Sequence, residues 1–398
     1  MLGHLIKYHI KKWIPLFIVS TLVLTSFFGI AILSMSTSTG FVRASYLSNA
    51  IISAESAWYM LVSNFMFWPA LVLSFVLPLF IFQYRTNKRE VDSMYQAPYS
   101  KKTIRRTLML MGLTILILSI TIAAAVGSAI YILRYIATPA MVTQPPYGGY
   151  GEVMKDARFT PNFGFLALTL VIVIVLCSGH YFINCLLVGL GNYGFDQICL
   201  LIFGNMFMLL CVTGPSLYVE MVVGHMFESG YGYEAFYGLV PLGEIPFIAA
   251  IYPQWFQQNY IDQTLYWHTL ISTCLGTLVS IFACVTTMML PDPSGEYAGS
   301  RKPIHPFVTF IPHMAALAFG FLVSLLGNLL SPISEAAFFG LLFLFYVLYG
   351  SAYYALLSLW RLSFKPKKID LICFLVVMAV VAILMFYASV IKMNGPVI

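Results

Sequence analysis

Long apolar runs recur along the whole chain, separated by short polar segments that hold nearly all its charge. A run of about 20 apolar residues crosses a ~30 Å hydrocarbon layer as a helix. Nine such runs can be placed, at 13–36, 58–83, 107–133, 164–188, 197–222, 266–290, 308–330, 336–360 and 370–391. A short turn near Ser331–Glu335 separates the seventh from the eighth, and the stretch 236–252 can dip into a membrane without crossing it. The first run, from Trp13 to about Ser34, follows a basic N-terminus as a signal peptide does. It is longer than the 7–15 residues of a signal core and lacks a small-residue cleavage site, so it reads as a retained span. The pattern predicts an all-α, polytopic transmembrane helical bundle of about nine spans (8–10).

Composition sharpens this. Of 398 residues, 60% are hydrophobic and 9% charged, against about 25% charged in a soluble domain. No segment is long and polar enough to fold as a separate soluble domain. The seven cysteines all fall within predicted spans and form no C-x-x-C pair, so they read as small buried hydrophobes.

The net charge of +6 does not point to nucleic acid, because the basic residues sit in clusters beside the apolar runs. Their distribution sets an orientation. With the N-terminus inside, the inner segments hold 16 Lys and Arg, including Lys7, Lys11, Lys12, Arg85, Arg105, Arg361 and Lys365. The outer segments hold 5, at Arg43, Arg134, Lys155, Arg158 and Lys392. This bias predicts a cytoplasmic N-terminus. The outer segment from Val223 to Trp267 has no Lys or Arg, and Pro241, Pro246 and Pro253 break any long helix there. It is expected to form short helices on the outer surface. Between Arg134 and Phe163, Gln144-Pro145-Pro146-Tyr147-Gly148-Gly149 is turn chemistry and predicts an irregular external loop.

Three inner segments are candidates for function. At the N-terminus, Leu2, Ile6 and Ile10 repeat at helical spacing, with His4, Lys7 and Lys11 on another face. This is an amphipathic helix for the inner membrane surface, either a plain anchor or a helix that also touches a cytoplasmic partner. The largest inner segment, Gln83–Arg106, mixes Lys88, Arg89, Lys101 and other cations with Glu90 and Asp92, and interleaves Val91, Met94, Tyr95 and Tyr99. A topology signal needs only the positive charges. The mixture predicts a short helix with a contact face, ended by Pro98, after which Ser100 caps a helix running from Lys101 into the third span. A solvated basic loop is the alternative. The third segment, Pro291–Pro306, is a Pro- and Gly-rich turn containing Glu296, Tyr297, Gly299 and Arg301.

The segment Arg89-Glu90-Val91-Asp92 … Tyr95-Gln96-Ala97-Pro98-Tyr99-Ser100-Lys101-Lys102 resembles one in bacterial ABC transporter permeases of the type-two exporter class. In the Gram-positive branch, Val-Asp-x-x-aromatic precedes Leu-Pro-(Ile/Tyr)-Ser-(Lys/Arg); Ala97 stands where that pattern has Leu. Glu296-Tyr297-Ala298-Gly299 is similar to the branch's Glu-x-Ala-Gly turn, although its arginine-rich lead-in is replaced by Asp292-Pro293-Ser294. The resemblance implies an interface helix at 1–12, and a six-span core at 13–290 with a coupling loop at 84–106 and outer surface helices at 223–265. It implies an inner turn plus a three-span extension at 291–398. It further implies an exporter of hydrophobic or amphiphilic substrates in the bacterial plasma membrane. Such a permease pairs with a second permease chain and with two cytoplasmic ATPase subunits. Lys88, Arg89, Glu90, Asp92, Tyr95, Pro98 and Lys101 would meet the ATPase, and Glu296, Tyr297, Gly299 and Arg301 would form a second inner turn. The chain has no G-x-x-x-x-G-K-[ST] phosphate loop, so ATP and Mg are expected on the partner and no cofactor on this chain.

Catalytic patterns are weak. His180 and Asn184 form H-x-x-x-N, which occurs in intramembrane CAAX-type proteases, but the paired glutamates of that family are absent. The other histidines lack ligand spacing, and neither H-E-x-x-H nor G-x-S-x-G occurs. His180 reads as a polar packing group, and Asn64, Asn184 and Asn205 as hydrogen-bonding links between helices. The spans lack the midplane charges of a gradient-driven carrier. Such a carrier, or a non-transporting scaffold or immunity protein, remains the alternative function, and no catalytic activity is expected.

Overall fold

The computed structural model describes residues 2–34, 62–96, 100–137, 163–212, 278, 280–289, 309–329 and 335–394. Every regular element among them is helical. The long helices are α1 (Leu2–Ser34), α2 (Trp68–Ile81), α4 (Lys101–Ala137), α5 (Phe163–Gly189), α6 (Gly194–Val212), α8 (Ile311–Leu329), α9 (Glu335–Arg361) and α10 (Lys368–Asn394). Two are short, α3 (Lys88–Tyr95) and α7 (Ser280–Met289). A π-helical turn, Val62–Phe67, leads into α2. The residues expected to form a separate interface helix continue without a break into the first span as α1, with Pro15 inside it.

Four segments are long and apolar enough to cross a membrane: Lys11–Leu33, Lys101–Leu133, Phe339–Arg361 and Lys368–Phe386. They match the spans predicted at 13–36, 107–133, 336–360 and 370–391. Phe65–Ile81, Val173–Gly189, Ser280–Met289 and Ile311–Ser324 are apolar but shorter. Large apolar side chains such as Phe27, Ile30, Val72, Leu118, Phe343 and Ile383 point outward. That surface suits a hydrocarbon solvent and makes the protein a membrane protein by composition and shape. The segments 134–163 and 223–265, predicted to be external, lie outside the described residues apart from the end of α4 and Phe163 at the start of α5.

The main core joins α1, α2, α4 and α5 around Phe28, Ile81, Phe82, Leu116, Val173 and Tyr181. Small residues set the approach distances, as expected where lipid supplies no hydrophobic drive between helices. A methyl added at Gly127 would collide with the Phe28 ring, and one at Gly112 with Ile81 and the Tyr181 hydroxyl. Polar contacts between helices supplement the packing. The Ser119 Oγ of α4 lies 3.0 Å from both Ser20 Oγ and Thr21 Oγ1 of α1. A smaller cluster of Leu190, Leu200 and Ile311 joins the α5–α6 turn to α8. Ala316, Tyr349, Tyr353 and Val381 bind α8, α9 and α10 together.

Candidate functional site

The ends of the helices that carry most of the described Lys and Arg meet at one end of the bundle. The chain leaves α2 by the Phe82 N–H, which donates to Pro78 O at 2.9 Å, and turns through a 3₁₀ segment, Gln83–Thr86. Asn87 then caps α3: its Oδ1 accepts from the Arg89 N–H at 3.0 Å, as an N-cap side chain does. Val91 is fully buried and fixes α3 to the core. Lys88 and Arg89 are exposed, and Glu90 and Asp92 half-exposed. The helix is therefore anchored through Val91 and presents Lys88 and Arg89 outward. Lys12 Nζ of α1 reaches Glu90 Oε2 at 3.3 Å. Ser100 Oγ accepts from the Thr103 N–H at 3.2 Å, so the predicted cap on α4 is present, and Lys101, Lys102 and Arg106 are exposed.

Two arginines counted as loop charges in the sequence are buried. Arg85 Nη1 donates to the carbonyl of Gly189 at the C-terminal end of α5, and its guanidinium lies 5.6 Å from the Phe82 ring centre. Arg105 Nη2 donates to Met288 O at the end of α7, at 2.8 Å. A helix C-terminus leaves carbonyls without intrahelical donors, and cations suit the negative end of its dipole. The turn between α5 and α6 closes on itself, with Gln197 Nε2 donating to Gly191 O at 3.0 Å. Phe195 meets Trp360 at 5.9 Å between ring centres, which brings α9 to the same end.

Here α8, α9 and α10 share a buried polar group. Asp370 Oδ1 accepts from Arg361 Nη2 at 2.5 Å and lies 3.2 Å from His313 Nε2, and its Oδ2 accepts from the Lys367 N–H at 3.3 Å. Arg361 also donates to Thr309 O at 2.9 Å, and His313 Nδ1 bonds the Tyr353 hydroxyl.

A second polar group lies deeper, between α2, α5 and α6. His180 Nδ1 is 2.8 Å from Ser74 Oγ and 3.0 Å from Asn184 Nδ2, and His180 Nε2 is 3.1 Å from Asn205 Oδ1. Asn205 Nδ2 donates to Asn184 Oδ1 and to Leu201 O, each at 2.7 Å. With the ring proton on Nε2, the ring donates to Asn205 Oδ1 and accepts from Asn184 Nδ2, and the single Ser74 hydroxyl proton is shared between His180 Nδ1 and the Leu71 carbonyl. Ser74 and Asn184 are fully buried. This is the geometry of an interhelical link. Asn64, named with the other two asparagines, has its side chain outside the described residues.

Of the expected coupling residues, Lys88, Arg89, Glu90 and Asp92 lie on α3 and Lys101 at the start of α4, with Lys88, Arg89 and Lys101 exposed. Tyr95 ends α3; its side chain, Pro98 and the second inner turn with Glu296, Tyr297, Gly299 and Arg301 lie outside the described residues. Among the described residues no group of three or more His, Cys, Asp and Glu is placed to hold a metal. Comparison of the chain with protein-family models, with curated proteins and with solved structures finds no match.

Proposed function

We propose that the chain is the membrane-spanning permease of an ATP-driven exporter in a bacterial plasma membrane. It has about nine spans, with its N-terminus and its basic end in the cytoplasm. The observation that carries this reading is α3: a short charged helix anchored by the buried Val91, joined to α2 and α4 and tied to α1 through Lys12–Glu90. It is also the segment whose residues resemble the coupling loop of type-two exporter permeases. A helix anchored this way moves as one piece with the spans beside it, which is what a docking point for an ATPase requires. The ATPase pair supplies ATP and Mg, and a second permease chain completes the substrate path. A gradient-driven carrier finds less support, because Asp370 lies in the first turn of α10 rather than at mid-depth and is matched by Arg361.

The test is co-purification. The intact protein is expressed with a nucleotide-binding chain encoded beside it, and the pair is captured through the permease. We expect recovery of the complex, and loss of it in the variant Glu90→Lys, Asp92→Lys, Tyr95→Ala, because reversed charges and a lost aromatic anchor weaken a docking surface. In intact cells a thiol reagent should label a cysteine at position 229 and leave one at position 100 unlabelled, which checks insertion. A variant that inserts correctly and keeps its ATPase overturns the coupling assignment, and labelling at position 100, alone or together with position 229, overturns the topology.

A further inference from the structure

The turn between α9 and α10, Leu362–Lys367, combines three features that no interaction among the described residues accounts for. Among the described residues its cations have no acidic partner: Lys365, Lys367 and Lys368 are exposed, and the nearby Asp370 is buried and taken by Arg361 and His313. Two of its apolar side chains stand out from the surface, Leu362 at 82% and Phe364 at 86% exposure. The backbone holds them there. The Leu362 N–H bonds Leu359 O at 3.3 Å and the Ser363 N–H bonds Ser358 O at 3.1 Å, with Leu362 at φ 51° where a helix end of this type ordinarily has glycine. Exposed apolar groups among lysines at the end of a membrane helix belong at the boundary between headgroups and acyl chains.

The third feature is an open groove of about 500 Å³ between α9 and α10, whose lining reaches Tyr354 and Phe374 on the side of this turn. Tyr346, Gly350, Ser351, Tyr354, Phe374 and Met378 line it. The tyrosine hydroxyls are already committed: Tyr346 donates to Met378 O at 3.1 Å, and Tyr354 to Phe364 O at 2.8 Å. The second of these bonds fixes the groove's mouth to the turn. From Tyr346 to Tyr354 the groove follows about 12 Å of helix, so it accepts a stretch of hydrocarbon chain. Beyond its mouth at Tyr354 the turn carries three lysines that have no acidic partner among the described residues.

We propose that this groove and turn bind an anionic phospholipid, with an acyl chain against Tyr346, Gly350 and Met378 and the phosphate held by Lys365, Lys367 and Lys368. The charge pattern selects the occupant. A second copy of the chain docking through this face would bring like charges together, whereas a lipid phosphate neutralises them. Basic pockets beside membrane helices recognise anionic headgroups on this principle. The proposal rests on the membrane setting and is independent of any ATPase partner.

The test is native mass spectrometry of the intact purified protein, titrated with phosphatidylglycerol, with phosphatidylcholine of the same chains, and with inorganic phosphate. We expect phosphatidylglycerol to bind in preference to phosphatidylcholine, and inorganic phosphate not to displace it. Replacing all three lysines (Lys365→Gln, Lys367→Gln, Lys368→Gln) should cut the preference by roughly tenfold or more, while changing the same three to Arg should keep it. Ser351→Trp fills the groove without altering charge and should lower occupancy by both lipids. The proposal is overturned if the glutamine variant keeps the preference, if Ser351→Trp leaves phosphatidylglycerol occupancy unchanged, or if inorganic phosphate displaces the lipid. The Arg and Trp variants decide the matter should the glutamine variant prove unstable.

Discussion

Asp370→Ala is the change that most directly probes how the last three helices are held. The Asp370 side chain is 1% exposed, that of His313 7% and that of Arg361 17%. Removing the carboxylate takes away a 2.5 Å partner from Arg361 and a 3.2 Å partner from His313. It also removes the cap on the Lys367 N–H. Breaking a buried ion pair from one side costs about 3–5 kcal/mol, because the remaining charge is left uncompensated. Arg361 keeps Thr309 O and some contact with solvent, which places the cost near the lower end, about 3 kcal/mol. Removing both charges behaves differently. Asp370→Leu with Arg361→Met leaves no uncompensated charge; His313, the Lys367 N–H and the Thr309 carbonyl each lose one hydrogen bond, for about 2 kcal/mol in all. With about 3 kcal/mol for each single change, Asp370→Leu and Arg361→Met, and about 2 kcal/mol for the pair, a double-mutant cycle should show a coupling of about 4 kcal/mol. Thermal and denaturant unfolding of the four proteins in one detergent measures it. A single variant that loses less than about 1 kcal/mol, or a double variant as unstable as the single, refutes the assignment of this group as a buried, mutually dependent network.

Two further outcomes follow from packing and surface charge. Gly112→Leu should destabilise the bundle by about 1–3 kcal/mol through overpacking against Ile81 and Tyr181, while Gly340→Leu, which meets no atom within 4 Å, leaves the melting temperature unchanged; equal effects at both sites would refute the close approach of α2, α4 and α5. Reversing either member of the exposed Lys12–Glu90 pair should cost less than about 1 kcal/mol, and the exchange Lys12→Glu with Glu90→Lys should restore the melting temperature; failure of the exchange to do so would show that α1 and α3 do not meet through these side chains.

What could be read from the sequence follows from what lipid demands. Apolar runs locate helices because a backbone in hydrocarbon must satisfy its own polar groups, and α1, α4, α9 and α10 lie where their runs put them. Ser100 was legible as a cap because hydroxyl residues before a helix bond its open N–H groups. Asn184 and Asn205 were legible as links, since an amide inside an apolar run has to find a partner. Ser74 gave no such signal, because a serine can satisfy itself on its own helix, as Ser74 does at Leu71 O. Arg85 and Arg105 looked like loop charges. Their burial depends on the carbonyls of Gly189 and Met288, which are 104 and 183 residues away, and no local pattern announces which helix ends will meet. The same holds for His313 and Asp370, separated by 57 residues.

The pairing of α1 with α4 also imposes an order on biosynthesis. Ser20 and Ser119 are 99 residues apart, so at 5–20 residues per second the ribosome needs about 5–20 s to deliver the second after the first. Throughout that interval α1 sits in the membrane with its intended neighbour still unmade. Ser20 has an interim partner within its own helix, the Phe17 carbonyl at 3.0 Å, so the hydroxyl is never stranded in hydrocarbon. The nascent first helix can thus wait as a self-sufficient unit, and the arrival of Ser119 converts a private hydrogen bond into a shared one.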